Sequence, residues 1–329
     1  MSLPPDRTPA YAPVGPAARI APLWAQPLVL VAVFVVAALI MVIATFGAGT
    51  LAAMNGRFVS PAALETWWAA APLTMLLFAT WGLLTLWWLR KAERRAPESA
   101  GVAPLRRGDA ACWVGGALWA ALLAGVLLLV TGERPDEAGQ STAGLGQMLA
   151  VLAASALMVA VLATTEEWVF RGWALSAAAA RVGRGWALAL TSVLFGAAHV
   201  FPWEWVDPAR LLSFLSFACM GAAFGAVALR RRSVWSAAAF HTGYNSGLVL
   251  LSAVASGFQP EAMWEGVTTA GSGFDDWRPA AALLGAQAVL ALTAVLWWRM
   301  SPDRAARWAA AAQARFNWRS RPRSSSSAR

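Results

Sequence analysis

The sequence predicts an all-α polytopic membrane protein, a bundle of about eight transmembrane helices around a polar cavity. Hydrophobic residues make up 59% of the chain and charged residues 13%, about half the charged fraction of soluble domains. Apolar runs of about 20 residues recur, the length at which a helix spans a ~30 Å hydrocarbon core. These runs are too long for barrel strands and show no period-two alternation, so helices follow.

The expected spans, in order, are 27–50, 68–89, 110–131, 147–180 (overlong), 186–203, 211–229, 234–256 and 280–298. Residues 1–22 are Pro- and Ala-rich, expected to be a disordered cytoplasmic tail, and hold no charged segment leading into a cleavable core. The first span therefore reads as an anchor, not a signal peptide. The helical domain covers 23–300. Residues 301–329 form a basic cytoplasmic tail, with 301–318 suited to lie on anionic headgroups and the Arg/Ser run from Arg319 to Arg329 disordered. Trp67, Trp68, Trp87, Trp88, Trp297 and Trp298 fall at span ends, as an aromatic belt requires. Gly115–Gly116 and the Gly221/Gly225 pair suit close helix contact. Cys112 and Cys219 lie inside apolar runs and read as small core residues.

A formal charge of +9 invites a nucleic-acid partner, but its distribution argues otherwise. Lys and Arg gather in the amino tail, in the second, fourth and sixth connections (Arg90 to Arg107, Arg181 and Arg184, Arg230 to Arg232) and beyond Arg299. The intervening connections hold one each: Arg57, Arg134, Arg210 and Arg278. This alternation is the positive-inside pattern of an inner-membrane protein with both termini cytoplasmic. The bilayer is the expected partner, and no nucleic acid is implied.

Of the acidic residues, Glu166 and Glu167 alone fall inside spans, and both histidines, His199 and His241, do as well. A carboxylate at the membrane centre costs ~3 kcal/mol or more, so these positions are functional candidates. The fourth and fifth spans are joined by the short turn Arg181–Gly185 and should form an antiparallel hairpin. Glu166 and His199 then lie level, each about 20 Å from the turn at 1.5 Å per residue. Asn245 is at a similar depth in the seventh span, with His241 one turn away on the same face. Glu167 and Arg171 are spaced i, i+4 and should neutralise one another. That leaves Glu166 as the chemical candidate. Ser192 and Ser246 are less economical as nucleophiles, since nothing in the sequence would orient a base beside them. Glu166, His199 and His241 would also serve as a three-ligand Zn²⁺ set, although the HExxH spacing is absent; no obligatory metal is expected.

Three motifs carry a resemblance. Glu166-Glu167-Trp168-Val169-Phe170-Arg171 reads EExxxR, Phe195 to His199 reads FxxxH, and His241 to Asn245 reads HxxxN. Together, over about 145–256, they resemble the type II CAAX prenyl endopeptidase and bacteriocin-processing family, also called Abi. The resemblance implies an eight-helix intramembrane protease acting on a membrane-embedded or lipidated peptide or protein. By motif position, Glu166 would activate water with help from His199, and His241 and Asn245 would stabilise the oxyanion, with Glu167, Arg171 and Phe195 in support. A non-catalytic immunity or scaffold protein of the same fold, and an ion-coupled transporter, are the competing classes; inverted repeats, which the latter favours, are not visible.

Overall fold

A computed structural model of the chain describes residues 11, 18–54, 67–102, 104–105, 107–131, 144–255 and 276–300. The acidic connections around Glu133 and Glu261 and the expected carboxyl tail lie outside these residues. All regular structure among them is helical. In chain order the helices are α1 (Gln26–Met54), α2 (Trp67–Trp87), α3 (Arg107–Thr131), α4 (Leu145–Glu167), α5 (Leu175–Val182), α6 (Arg184–His199), α7 (Pro208–Arg231), α8 (Val234–Ala255) and α9 (Trp277–Arg299). A π-helical turn, Trp168–Ala174, joins α4 to α5, so the overlong fourth run is one continuous helical path.

All eight expected spans coincide with helices, and six stretches are long and apolar enough to cross a membrane. The chain is a multi-pass membrane protein. Two helices fall short of that criterion. With 16 residues, α6 is about 24 Å long, less than the ~30 Å core. Its expected extent to residue 203 is therefore shortened, and His199 is its last residue. In α8 the run His241, Thr242, Tyr244, Asn245 and Ser246 interrupts the apolar sequence. The two exceptions are the helices that carry His199, His241 and Asn245.

One residue, Gly183, makes the turn from α5 to α6, with φ 82° and ψ 163°, a conformation that a side chain would strain. The bundle packs α7 against α9 and α6, α8 against α3 and α4, and α4 against α2. Small residues set the closest approaches. At Gly221 an added Cβ would lie 3.1 Å from Ser192 Cα, and at Gly225 it would meet the Leu188 side chain, so this pair seats α7 on α6.

At the α3–α8 contact, an added Cβ at Gly243 would run into the Trp113 carbonyl oxygen. Backbone cannot rotate aside, so Gly243→Ala must push α8 away from α3. It is expected to cost about 1–3 kcal/mol, as overpacking does. Gly115→Ala, whose Cβ would meet only the Phe240 ring at 3.6 Å, should be close to neutral. Unfolding of the two variants in detergent checks this; equal midpoints would refute it.

Part of the expected amino tail is docked. Tyr11 is 1% exposed and its hydroxyl donates to the Arg171 carbonyl at 2.8 Å. The Arg19 N–H donates to the Glu93 carbonyl at 2.8 Å, and Arg181 donates to the carbonyls of Ile20 and Ala21. Arg95, which the charge pattern counts among the cations of the second connection, is buried. Its Nη1 lies 3.0 Å from Glu93 Oε2, and Nη2 donates to Ser176 Oγ on α5. Burial lowers the Arg95 pKa, and Glu93 opposes that. The pair anchors the loop after α2 beneath the π turn, and so beneath the helix that carries Glu166 and Glu167.

Candidate active site

Glu166 and Glu167 end α4, where the wider π turn begins. Such turns occur often at functional sites. The adjacent side chains point to different surroundings: Glu166 is partly exposed to a cavity, whereas Glu167 is 0% exposed. Glu167 Oε1 lies 3.2 Å from Arg171 Nη1, the expected pair. The same oxygen lies 3.0 Å from His241 Nδ1. Glu167 is therefore shared between Arg171 and a site histidine, which the i, i+4 spacing does not reveal.

The Arg171 guanidinium is held on its other sides by main chain and rings. Nη2 donates to the Gly221 carbonyl at 3.1 Å, and the Phe195 ring lies 4.1 Å from Cζ. Phe195 also packs 4.4 Å from the His199 ring, and its carbonyl partners His199 Nδ1 at 2.8 Å. The FxxxH spacing thus serves one side chain and one carbonyl on successive turns of α6.

From these partners the protonation pattern follows. A carbonyl only accepts, so His199 Nδ1 carries the proton; His241 Nδ1 faces a carboxylate and carries one as well. In the neutral rings both Nε2 atoms are then lone pairs. They lie 4.0 Å (His199) and 3.9 Å (His241) from Glu166 Oε2. These separations are too long for direct hydrogen bonds, and they leave space for one oxygen at about 2.8 Å from both partners of a pair. The hairpin does bring Glu166 and His199 level, and α8 adds His241 and Asn245 to the same cavity.

That cavity has a volume of about 130 Å³, room for more than one water. Val159, Leu162, Phe217 and Met220 form apolar parts of its wall. Three converging lone pairs are the chemistry a metal would need, but tetrahedral zinc with ligands at 2.0–2.1 Å requires donors about 3.4 Å apart. Glu166 Oε2 lies 3.9–4.0 Å from the two Nε2 atoms, so holding zinc would require these side chains to draw in by about half an ångström. Among the described residues no group of three His, Cys, Asp or Glu side chains is placed to hold a metal. Of the two candidate serines, Ser192 donates to the Leu188 carbonyl, and neither lines the cavity.

Several site residues carry no motif signal. Phe217 stacks on His199 with centroids 4.5 Å apart, and Phe224 stacks on His241 at 4.4 Å. Seven residues apart on α7, they present one face, one ring per histidine. On α9, Gln287 is 1% exposed. It accepts from Trp119 Nε1 at 3.3 Å and donates to the Tyr244 hydroxyl at 3.2 Å. A lone amide in an apolar span is the signal that could have found it. The Ser216 hydroxyl, in the cavity wall, is buried and has no hydrogen-bond partner among the described residues.

Residues 147–247, about a third of the chain, match the family described as Type II CAAX prenyl endopeptidase Rce1-like. No curated protein and no solved structure matches the chain.

Proposed function

We propose that this protein is an intramembrane endopeptidase of the type II CAAX prenyl endopeptidase kind, which hydrolyses a peptide bond of a membrane-embedded or lipidated substrate; the match of residues 147–247 to the Rce1-like family supports the reading. The observation that carries the reading is the convergence of Glu166 Oε2 with the Nε2 atoms of His199 and His241 on one cavity. Glu166 takes a proton from water, with His199 Nε2 as a second acceptor that orients the same water. The hydroxide attacks the carbonyl carbon, and the C–O double bond becomes an oxyanion. Asn245 donates its amide N–H to that oxygen. His241 donates through Nε2 as an imidazolium, a state it reaches by taking a proton from solvent before the peptide binds and keeps throughout the reaction. Glu167 Oε1, 3.0 Å from Nδ1, is placed to pair with that cation. The C–N bond then breaks, and the proton held by Glu166 passes to the leaving amine. Apolar walls strengthen each of these interactions relative to water.

The reading places the protein in the cell membrane with both termini cytoplasmic, from the alternation of basic connections. It uses no metal: chelators such as EDTA or phenanthroline are expected to leave turnover unchanged, and a loss reversed by added zinc would overturn that part. The whole reading is tested by comparing peptide termini in membranes carrying wild-type or Glu166→Gln protein. A set of termini present only with wild type is expected; identical sets would reject the peptidase.

A further inference from the structure

We propose that a basic cleft at one end of the bundle binds the phosphate of an anionic phospholipid. It is separate from the Glu/His cavity and does not depend on the hydrolytic reading. The cleft has a volume of about 680 Å³ and lies where the α5–α6 turn meets the carboxyl ends of α7 and α9. Among the described residues its wall contains Arg184, Arg230, Arg232 and Arg299 with Trp186 and Trp298, and no acidic residue.

Topology alone would require basic residues at this end of the bundle, but not in one cleft. Arg230 donates to the Met300 carbonyl at 2.7 Å and lies 5.4 Å from the Trp297 ring. Arg232 donates to the Tyr11 carbonyl, and Arg299 lies 4.9 Å from the Trp298 ring. These contacts position the guanidinium groups without neutralising them. Carboxyl ends of α5, α7 and α9 contribute about half a negative charge each, and the amino end of α6 about half a positive one. Roughly two of the three positive charges on Arg230, Arg232 and Arg299 therefore remain uncompensated by the helix ends. An external anion is the natural complement.

The cleft's depth identifies the anion's source. Trp186 is 72% exposed and, with Trp297 and Trp298, marks the headgroup level where tryptophans concentrate. The first residues of α6, Arg184 to Trp186, line the cleft, and that helix starts without a side-chain cap. Helix-start N–H groups and arginine forks are the two standard ways of holding phosphate oxygens. Basic pockets between membrane helices bind lipid headgroups in the same way.

The test uses the full chain in nanodiscs of phosphatidylcholine with or without phosphatidylglycerol, reading lipid retention by native mass spectrometry. Wild type is expected to retain phosphatidylglycerol roughly tenfold or more over phosphatidylcholine. Arg230→Gln with Arg299→Gln should remove most of that preference, and Arg230→Lys with Arg299→Lys should keep part of it. The equal charge change Arg90→Gln with Lys91→Gln, outside the cleft, should leave it intact. No preference in wild type, an equal loss in the Arg90/Lys91 control, or displacement of the lipid by millimolar inorganic phosphate would each overturn the proposal. Should the glutamine pair fail to fold, the wild-type lipid comparison still decides.

Discussion

Glu166→Gln is expected to lower kcat for peptide cleavage by about 10³-fold, the middle of the range for losing a positioned general base. KM should change little, because the amide keeps the size of the side chain and the cavity wall. Stability should stay within about 0.5 kcal/mol. The structural reason is that Glu166 faces the cavity, with its two imidazole neighbours 3.9–4.0 Å away, so no tight buried pair is broken. His199→Ala should also reduce kcat strongly, since its Nε2 accepts the other O–H of the water that Glu166 deprotonates and so orients it. Measurement needs a lipidated peptide substrate in detergent or liposomes, with unfolding followed on the same preparation. Turnover by Glu166→Gln at the wild-type rate would remove Glu166 from the chemistry. The helical membrane fold would stand, and a binding or scaffold role would then be favoured.

Much of this site is legible in the sequence, because membrane-embedded polar residues are costly enough to be conspicuous. Glu166, His199, His241 and Asn245 announce themselves as exceptions in apolar runs, and a short turn fixes the level of the first two. The rest depends on side-chain direction and on backbone irregularity. The π turn at Trp168–Ala174 follows no apolar periodicity, so the i, i+4 spacing assigns Glu167 to Arg171 alone. Its second contact, to His241, requires the actual placement of α8 beside α4. Phe217 and Phe224 are hidden for a different reason: aromatic rings in a membrane helix are ordinary, and only the stacked histidines give them meaning. Apolarity extends the short α6 to residue 203, because Val200, Phe201 and Trp203 are as apolar as a span. Val200 instead leaves helical geometry, with φ −130° and ψ 110°, and this places His199 at a helix end.

Arg171→Met should destabilise the protein by about 3–5 kcal/mol, because it leaves the Glu167 carboxylate buried without its cation. Arg171 and Glu167 are 1% and 0% exposed, so neither charge can recover hydration without opening the contact between the π turn and α7. Replacing both, as Glu167→Gln with Arg171→Met, should restore much of the stability, since a neutral buried pair avoids the cost of an orphaned charge. The resulting coupling energy is expected to be about 1–3 kcal/mol. Activity should not return with it. Glutamine can accept from His241 Nδ1 but cannot stabilise an imidazolium, and its amide can also impose the wrong tautomer, as an acid-to-amide change does beside other catalytic histidines. Unfolding in detergent and turnover, measured on the single and double variants, therefore separate two roles of one carboxylate. A double variant no more stable than Arg171→Met would refute the ion-pair account. Recovery of turnover together with stability would make Glu167 a counter-ion only, and His241 would then owe nothing to it.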